Sequence, residues 1–563
     1  MAKLHKNYLI VIICVAGLLR LVGLNWDQGN HLHPDERMIT MVVGRISMPP
    51  IDPVLKIGQK LNILFSPDST LNPKFFAYGS FPIYLLKFSA HLLTPIFPKI
   101  SSYDQINLLG RAISAVFDTL VIIFIYRLGL LIFKSSSKSL FASVIYGLSI
   151  FPIQLSHFYA VDTILSFFIL FTIYQLICYF RQQRFINLLF AGVGFGLSLA
   201  TKVSAIVLVV PFATCFTLLT WRFINSKKIL KTLKLLLLVS AITIIVFFIF
   251  QPFALTDFST FKRQILEQQA MTKDAFVFPY TLQYVNTIPY LYPLKNIFLW
   301  GLGPVIGLMA TIGFFALIKK LSRGLFSPGS QNSPGATIIL FSFFITYFII
   351  VGGFAVKWMR YCLPLYPIFA LFAANTIGDI KSKYLKTTIL LIHLCLVFAF
   401  MSIYQVPNTR VTATKWINKN ISPGSTILVE HWDDPLPLGY LNKNITQLSL
   451  PLYDSDLEPN KWVNINKMLD TGDYIILSSN RLYTPLQKLT NCDQLPPGRC
   501  YSKTATYYQD LFSGKLGYTK VAEFTNYPKL FGISIDDQSA DESFTVYDHP
   551  KVMIYKNTHV QKN

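Results

Sequence analysis

The chain is dominated by apolar stretches of membrane-spanning length. A helix needs about 20 mostly apolar residues to cross the hydrocarbon core of a bilayer. About eleven stretches of this 563-residue sequence approach that length: 8–24, 113–132, 140–155, 163–180, 186–200, 203–220, 235–251, 296–318, 336–355, 361–378 and 387–404. Only 14% of the residues are charged, against about 25% in soluble domains. The sequence therefore predicts a polytopic α-helical membrane protein with about eleven transmembrane helices.

The charges between these spans predict the orientation of the chain. The net charge is +22, and Lys and Arg concentrate in cytoplasmic loops of membrane proteins. With the N-terminus in the cytoplasm, every inner connection is basic: Lys134 and Lys138, Arg181 and Arg184, Arg222 and Lys231, Lys319 and Arg323, Lys381 and Lys386. The basic start of the chain precedes a span without a small-residue cleavage site, which is typical of an uncleaved signal anchor. We expect an integral protein, of the plasma membrane, that contacts membrane lipids and no nucleic acid.

The first predicted outer loop, 26–112, contains a further apolar stretch. This stretch covers about 17 residues and includes Lys87 and His91, so it is short and polar for a transmembrane helix. A full span here would invert everything downstream and put the basic loops outside. We therefore predict helices that lie in the membrane interface.

From about residue 405 the hydrophobic runs shorten to strand length. Strands are predicted over 426–430, 473–477, 544–547 and 552–555, with the last two joined by a hairpin turn at 548–551, and helices over 412–420 and 461–469. A soluble extracytoplasmic α/β domain of about 160 residues, 405–563, is thus expected to follow a membrane domain over 1–404. Cys492 and Cys500 lie in this region, where an oxidising environment would permit a disulfide. Glu430 ends the first of these strands, Asp433 and Asp434 follow it, and the three acids indicate a solvated loop, or an acceptor or cation site.

Ionisable residues from different spans fall on one predicted membrane face. Asp35 and Glu36 follow the first span almost at once, in the stretch His31-Leu32-His33-Pro34-Asp35-Glu36-Arg37. The same outer face collects His157, Asp162, Lys202, Arg360 and Tyr361. Charged groups at a membrane are costly to keep without a role, so we expect a functional site here. The alternatives are a solvated loop for the Asp-Glu pair, a snorkelling Lys202, a lipid-bound Arg360, a buried structural His157 and a helix-capping Asp162.

An ordered set of stretches over about 1–400 resembles the GT-C glycosyltransferases. The set comprises Asp35-Glu36, Pro73-Lys74 to Tyr84, Gly110-Arg111, His157 to Asp162, Gly196 to Lys202, and Arg360-Tyr361 to Pro367. Within that superfamily the chain is similar to the enzymes that use dolichol- or undecaprenyl-phosphate sugars, which include protein O-mannosyltransferases and bacterial aminoarabinose transferases. A soluble α/β domain at the C-terminus departs from the mannosyltransferases, which carry a β-trefoil insert. This departure counts against a protein as the acceptor, and a lipid, a glycan and a protein all stay open.

The resemblance implies a reaction and a set of site residues. A sugar would pass from a polyprenyl-phosphate donor to a hydroxyl or similar acceptor on the extracytoplasmic face, with inversion and with Asp35 as general base. Glu36 and Asp162 would be the further acidic catalytic residues. The substrate-binding residues would be His157, Lys202, Arg360, Tyr361, Lys74 and Tyr78. Carboxylates suit proton abstraction from a hydroxyl, and Lys and Arg suit a leaving phosphate.

Two other classes of function remain open at this point. A transporter of a lipid-linked or small solute would show internal repeats and charges at bilayer depth, and the sequence shows no repeat. A non-catalytic membrane scaffold would have no need of Asp35, Glu36, Asp162 and Lys202 together. No metal ligand set and no cofactor motif is evident, and a divalent cation is left open as an additional requirement.

Overall fold

The computed structural model describes residues 2–222, 228–325, 334–439 and 444–558. The chain forms two compact units. The first, called here the membrane unit, comprises residues 1–24, 34–270 and 289–397, and the second, the C-terminal unit, comprises 25–33, 271–288 and 398–563. The units thus divide near the predicted end of the membrane domain, and two segments of the predicted outer loops group with the C-terminal part of the chain.

Helices account for nearly all of the regular structure in the membrane unit. In chain order they are Ala2–Leu21, Pro34–Arg45, Ile57–Phe65, Ser80–Leu93, Tyr103–Phe133, Ser136–Gly147, Ile150–Ser156, Asp162–Gln182, Phe185–Thr201, Val203–Leu208, Val209–Arg222, Lys228–Phe250, Phe253–Thr256, Phe258–Lys273, Leu291–Asn296, Ile297–Gly301, Pro304–Leu325, Gly335–Gly352, Met359–Leu365, Tyr366–Asp379 and Lys383–Met401. The helix Pro34–Arg45 begins at a boundary between the two units, and the helices Phe258–Lys273 and Lys383–Met401 each cross one. The predicted outer loop 26–112 contains three helices, and a fourth, Tyr103–Phe133, begins within it; that the first three lie in the membrane interface stays a prediction.

The number of membrane spans differs from the predicted eleven. Within the described residues, eight helical segments are long and apolar enough to cross a membrane, and a pair bent by 54°, Ser136–Gly147 with Ile150–Ser156, brings the number to at most nine. The helix Phe185–Thr201 is apolar but short. Every predicted stretch is helical in the described residues, but helical breaks shorten several of them, so the count of eleven is not confirmed.

The C-terminal unit is a three-layer α/β domain. Its strands are β1 (Thr426–Glu430), β2 (Thr446–Leu450), β3 (Tyr474–Leu477), β4 (Tyr518–Phe524), β5 (Lys529–Leu530), β6 (Ile533–Ser534) and β7 (Val552–Asn557). Its helices are Pro279–Tyr284, Ser402–Gln405, Thr409–Asn420, Lys461–Thr471, Tyr483–Leu486, Cys492–Gln494, Ser502–Ser513 and Glu542–Thr545. Five strands form one sheet in the order β2-β1-β3-β7-β4, where β1 runs parallel to β2 and β3, and β7 runs antiparallel to β3 and β4.

Alternating side chains of the sheet fill a core on each of its faces. On one face Leu428 and Ile475 pack with Ile465 and Tyr508 of two covering helices. On the other face Ile427 and Ile476 pack with the helix Thr409–Asn420. The period-two burial of these strands places apolar side chains on both sides, as in other sheets covered by helices.

The predicted C-terminal hairpin is wrong. Residues 544–547 have β-forming side chains, but the segment Glu542–Thr545 is a short helix, because the Asp541 side chain accepts a hydrogen bond from the Ser543 N–H and caps its start. The strand β7 pairs instead with β3 and β4. Cys492 and Cys500 form a disulfide in this unit.

Candidate active site

Asp35 and Glu36 lie in the first turn of the helix Pro34–Arg45. Proline fits the first helical position because its fixed φ suits a helix and no N–H is needed there. Carboxylates in the first turn are favoured by the helix dipole. The sequence thus places two acids at a helix start, from which their side chains leave in different directions.

The carboxylate of Glu36 is fully buried, and both of its oxygens accept hydrogen bonds. Arg111 pairs with it through two hydrogen bonds, Nη2 to Oε1 at 2.6 Å and Nε to Oε2 at 2.9 Å. The backbone N–H of Tyr159 donates to Oε2 at 2.9 Å, and Arg111 also donates to the Leu24 carbonyl at 2.6 Å. Two-point Arg–carboxylate pairs are strong and geometrically specific. Glu36 therefore joins the segments that carry Arg111 and Tyr159.

Asp35 has a different environment. Its carboxylate forms an ion pair with Arg360, and the two side chains retain 21% and 16% of their exposure. Arg360 lies in the short helix Met359–Leu365, which directly precedes Tyr366–Asp379. A pair that reaches the surface of the fold can exchange partners with a ligand at lower cost than the enclosed Glu36–Arg111 pair, since burial makes an unpaired charge expensive.

A second ion pair lies beside Arg360. Lys202 Nζ contacts Asp162 Oδ1 at 2.9 Å, where Asp162 begins one membrane helix and Lys202 follows the end of another. The ammonium also lies 4.5 Å from the centre of the Tyr361 ring, and the Arg360 guanidinium lies 5.9 Å from the same ring. The contacts run without a break from Asp162 through Lys202, Tyr361 and Arg360 to Asp35.

This cluster contains polar atoms without a protein partner. Asp162 Oδ2 and Arg360 Nε are both enclosed and make no hydrogen bond within the described part of the chain. Buried polar groups in folded proteins nearly always have a partner, so unused ones point to water, an ion or a ligand. Two acids and two cations with spare hydrogen-bonding capacity are suited to a phosphate and a hydroxyl.

The loop before the helix Ser80–Leu93 also reaches the cluster. The Gly79 N–H donates to the Thr201 carbonyl at 2.9 Å, next to Lys202, and the Lys202 ammonium lies 6.0 Å from the centre of the Tyr78 ring. A Cβ on Gly79 would meet the Ala200 carbonyl oxygen at 1.8 Å, so only glycine allows this approach. The ring of Tyr78 thus lies near the Lys202 ammonium, as does the ring of Tyr361, the other tyrosine predicted at this site.

Two predicted substrate-binding residues have other surroundings. His157 is buried, and its ring nitrogens lie 2.9 Å from the Ile153 carbonyl and 2.8 Å from the Val22 carbonyl. Lys74 is about half exposed and pairs with the exposed Asp68 at 3.3 Å. These contacts of His157 and Lys74 are with residues outside the cluster, and their predicted role in substrate binding stays a prediction.

Sequence reasoning missed three buried ionisable groups in this unit. Arg111 belongs to one of the family-like stretches, but the sequence does not predict its ion pair with Glu36. Arg20 and Asp118, both inside predicted spans, form a buried ion pair at 2.7 Å, and Tyr146 donates to Asp118 at 2.5 Å. An ionisable residue within an apolar span is itself a signal of a specific partner, and that signal would have singled out Arg20 and Asp118.

Two of the three acidic side chains at and after the end of β1 are buried, so the interpretation as a solvated loop is wrong for these two. Tyr508 donates to the buried Glu430 at 2.5 Å, and the buried side chain of Asp433 pairs with Arg410 at 2.8 Å, whereas the Asp434 side chain keeps 24% of its exposure. Burial raises the pKa of Glu430 to about 8, the Tyr508 hydrogen bond opposes that shift, and the charge of Asp433 adds to it. In the described ranges, no group of three or more His, Cys, Asp or Glu side chains is arranged to hold a metal ion.

Comparisons with known proteins agree with this architecture. Residues 90–249, which include Asp162 and Lys202, match the family model described as dolichyl-phosphate-mannose-protein mannosyltransferase. No curated protein matches the sequence significantly.

Among solved structures, the archaeal oligosaccharyltransferase AglB from Archaeoglobus fulgidus, in complex with an inhibitory peptide and a dolichol-phosphate, is similar over 98% of this chain and 88% of its own, with a TM-score of 0.51 and 12% identity. ArnT from Cupriavidus metallidurans bound to undecaprenyl phosphate is similar over 98% of both chains, with a TM-score of 0.47 and 12% identity. The similarity to AglB extends over nearly the whole chain and shows the fold, and the match to the mannosyltransferase family model covers residues 90–249.

Proposed function

We propose that the protein transfers a sugar from a polyprenyl-phosphate donor to a hydroxyl or similar acceptor at the extracytoplasmic face of the membrane. The single observation that carries this proposal is the unbroken set of contacts from Asp162 through Lys202 and Arg360 to Asp35. These residues are far apart in sequence and come together where four helical segments begin or end. The matching family model is named for a dolichyl-phosphate sugar, and the AglB structure holds a dolichol-phosphate, which supports a lipid-phosphate donor.

Lys202 and Arg360 bind the donor phosphate in this proposal. A phosphate carries charge that both cations can share, and Arg360 has an unused Nε–H to offer it. The leaving group of the reaction is this same phosphate, so the two cations stabilise the charge that develops as the bond to the sugar breaks. Tyr361 lies against both cations and keeps them adjacent.

Asp35 acts as the general base. In the structure its carboxylate is neutralised by Arg360. When the donor phosphate binds Arg360 in place of Asp35, the Asp35 carboxylate can accept the proton of the acceptor hydroxyl. The acceptor oxygen then forms its bond to the anomeric carbon as the phosphate oxygen leaves, and a single displacement inverts that carbon. Asp162 holds Lys202 in place, and Glu36 fixes the helix that presents Asp35.

A donor screen tests the function directly. Purified protein is incubated with a panel of polyprenyl-phosphate sugars and candidate lipid, glycan and peptide acceptors, and donor consumption is measured by mass spectrometry. Consumption of one donor supports the proposal, and a loss of that consumption in Asp35→Asn supports Asp35 as the general base. The control is Asp379→Asn, which removes an acid from another ion pair, with Lys138 at 2.7 Å. Full activity of Asp35→Asn would overturn the role of Asp35.

Lys202 is tested through donor affinity. A hydrogen bond to a charged group contributes about 1.5–3 kcal/mol, so Lys202→Met is expected to raise the donor KM roughly 10- to 100-fold, since 1.4 kcal/mol is a factor of ten. Lys202→Arg keeps the charge and should recover part of the affinity. An unchanged donor KM with a reduced kcat would remove Lys202 from the phosphate site. Solute uptake into proteoliposomes without donor consumption would favour the transporter instead.

A further inference from the structure

A short hairpin of the C-terminal unit exposes apolar side chains. It consists of β5 and β6 with Phe531 and Gly532 at the turn, where φ is 50° and 85°. Phe531 is 92% exposed and Ile533 is 72% exposed. A bulky residue at positive φ is uncommon and unfavourable. The turn thus holds two large apolar side chains in water at a cost, which points to a partner for this surface.

The hairpin is bonded to the end of the last membrane helix. The apolar helix Lys383–Met401 continues into the turn Ser402–Gln405. The Lys529 N–H donates to Ser402 Oγ at 3.0 Å, and Asn526 Nδ2 donates to the Ile403 carbonyl at 2.9 Å. A helix of 19 residues is about as long as the hydrocarbon core is thick. Its last turn therefore lies near the level at which the chain leaves the hydrocarbon, and the hairpin is bonded to the turn Ser402–Gln405 that directly follows.

We propose that the hairpin Lys529–Ser534 is a membrane-interface anchor, which inserts Phe531 and Ile533 between the lipid headgroups of the leaflet that this helix end reaches. Aromatic and apolar side chains are stabilised in the interfacial layer, and the exposed Lys529 can contact lipid phosphates there. A protein partner fits less well, because a stable protein interface buries about 800 Å² on each side and two side chains supply a small part of that. This inference depends on membrane insertion and not on the proposed transfer reaction.

Site-specific fluorescence in lipid bilayers tests the anchor. Cys14 and Cys395, the exposed free cysteines among the described residues, are replaced by Ser. Phe531→Cys in that full-length background is labelled with an environment-sensitive fluorophore and reconstituted into phosphatidylcholine–phosphatidylglycerol vesicles. The matched control is Leu457→Cys, at a 76% exposed position of the same unit that makes no described bond to residues 402–405. Unchanged gel-filtration profiles show that both labelled proteins are folded.

We expect the label at 531 to emit at shorter wavelength than the label at 457. It should be quenched several-fold more strongly by lipids that carry a nitroxide near the headgroup, and less by iodide in the water. Equal quenching of both labels by iodide would overturn the proposal. Protection of the label at 531 from iodide without quenching by nitroxide lipids would also overturn it, and would assign the hairpin to a protein contact.

Discussion

Asp35 and Glu36 are neighbours in sequence with opposite surroundings. Glu36 is enclosed by Arg111 and the Tyr159 N–H, whereas Asp35 is part-exposed and meets Arg360. An enclosed, fully bonded carboxylate is poorly placed to take a proton from a substrate, because protonation would sacrifice its ion pair. Within one helical turn the geometry thus separates an enclosed acid from a part-exposed one, and our proposal assigns positioning to the first and proton transfer to the second.

This separation predicts different consequences for two isosteric substitutions. Glu36→Gln leaves the Arg111 charge buried without its partner, and breaking a buried pair costs about 3–5 kcal/mol of folding free energy. Asp35→Asn removes a pair whose side chains keep 21% and 16% of their exposure, so its cost lies between that of an enclosed pair and that of an exposed one, about 0–1 kcal/mol. We therefore expect the thermal midpoint of the purified protein to fall more for Glu36→Gln than for Asp35→Asn, whereas the proposed role of Asp35 predicts that Asp35→Asn is the variant that loses transfer. Equal thermal midpoints for the two variants would contradict this assignment.

Helix ends are the elements from which the site is built. Asp162 begins Asp162–Gln182, Lys202 follows Phe185–Thr201, and Asp35 lies in the first turn of Pro34–Arg45. Acids at helix starts and a cation beside a helix end are both favoured by the helix dipole. The loop that ends at Gly79 is bonded to Thr201, so it fixes the position of the chain directly before Lys202.

A pair of glycine substitutions tests this coupling. In Gly79→Ala the added Cβ would meet the Ala200 carbonyl oxygen at 1.8 Å, so one backbone must move. A misplacement of about 1 Å can cost about 10²-fold in rate, and we expect kcat/KM for transfer to fall by that order. Gly58→Ala is the control, because its Cβ would meet nothing within 4 Å. Similar activities of the two variants would show that the Gly79 contact does not position Lys202.

In the C-terminal unit, the end of β1 carries a pH-dependent group. The pKa of Glu430 is raised to about 8 by burial, whereas an unfolded chain gives it an ordinary value near 4.3. Between these values the folded state holds a proton that the unfolded state has lost, so stability falls as pH rises. We expect the thermal midpoint to decrease from pH 5 to pH 8, and Glu430→Gln to reduce that decrease. Glu458→Gln, at an exposed position, should leave it unchanged; an equal effect of both variants would exclude Glu430 as the source.

At the scale of the whole molecule, local patterns predict the helices and most of the side chains that meet in the cluster. Apolar runs mark the spans, and the charges at their ends include Asp35, Asp162, Lys202 and Arg360, which the structure brings together. The remaining contacts depend on how the helices pack. The Arg20–Asp118 pair depends on which helices are neighbours, and so does the enclosure of His157.

The C-terminal unit shows the same division between local and non-local information. The strands at 426–430 and 474–477 follow from their apolar runs, but β4 alternates too weakly to be found, with a mostly exposed pattern over Tyr518–Phe524. The segment 544–547 has strand-forming side chains, but its first two residues belong to the short helix Glu542–Thr545, which Asp541 caps at its start. The Asp541 cap is a local hydrogen bond to Ser543, and it can outweigh strand propensity because strand propensities differ by only about 1 kcal/mol.

The orientation of the whole chain decides which side of the membrane the reaction uses. Basic inner connections predict that the C-terminal unit is extracytoplasmic. In the background without Cys14 and Cys395, Glu458→Cys should therefore react with a membrane-impermeant maleimide in intact cells. Lys381→Cys, in a predicted inner connection, should react only after the membrane is permeabilised. The reverse pattern would place the Asp35–Arg360 cluster on the cytoplasmic side, and the donor would then have to be presented in the inner leaflet.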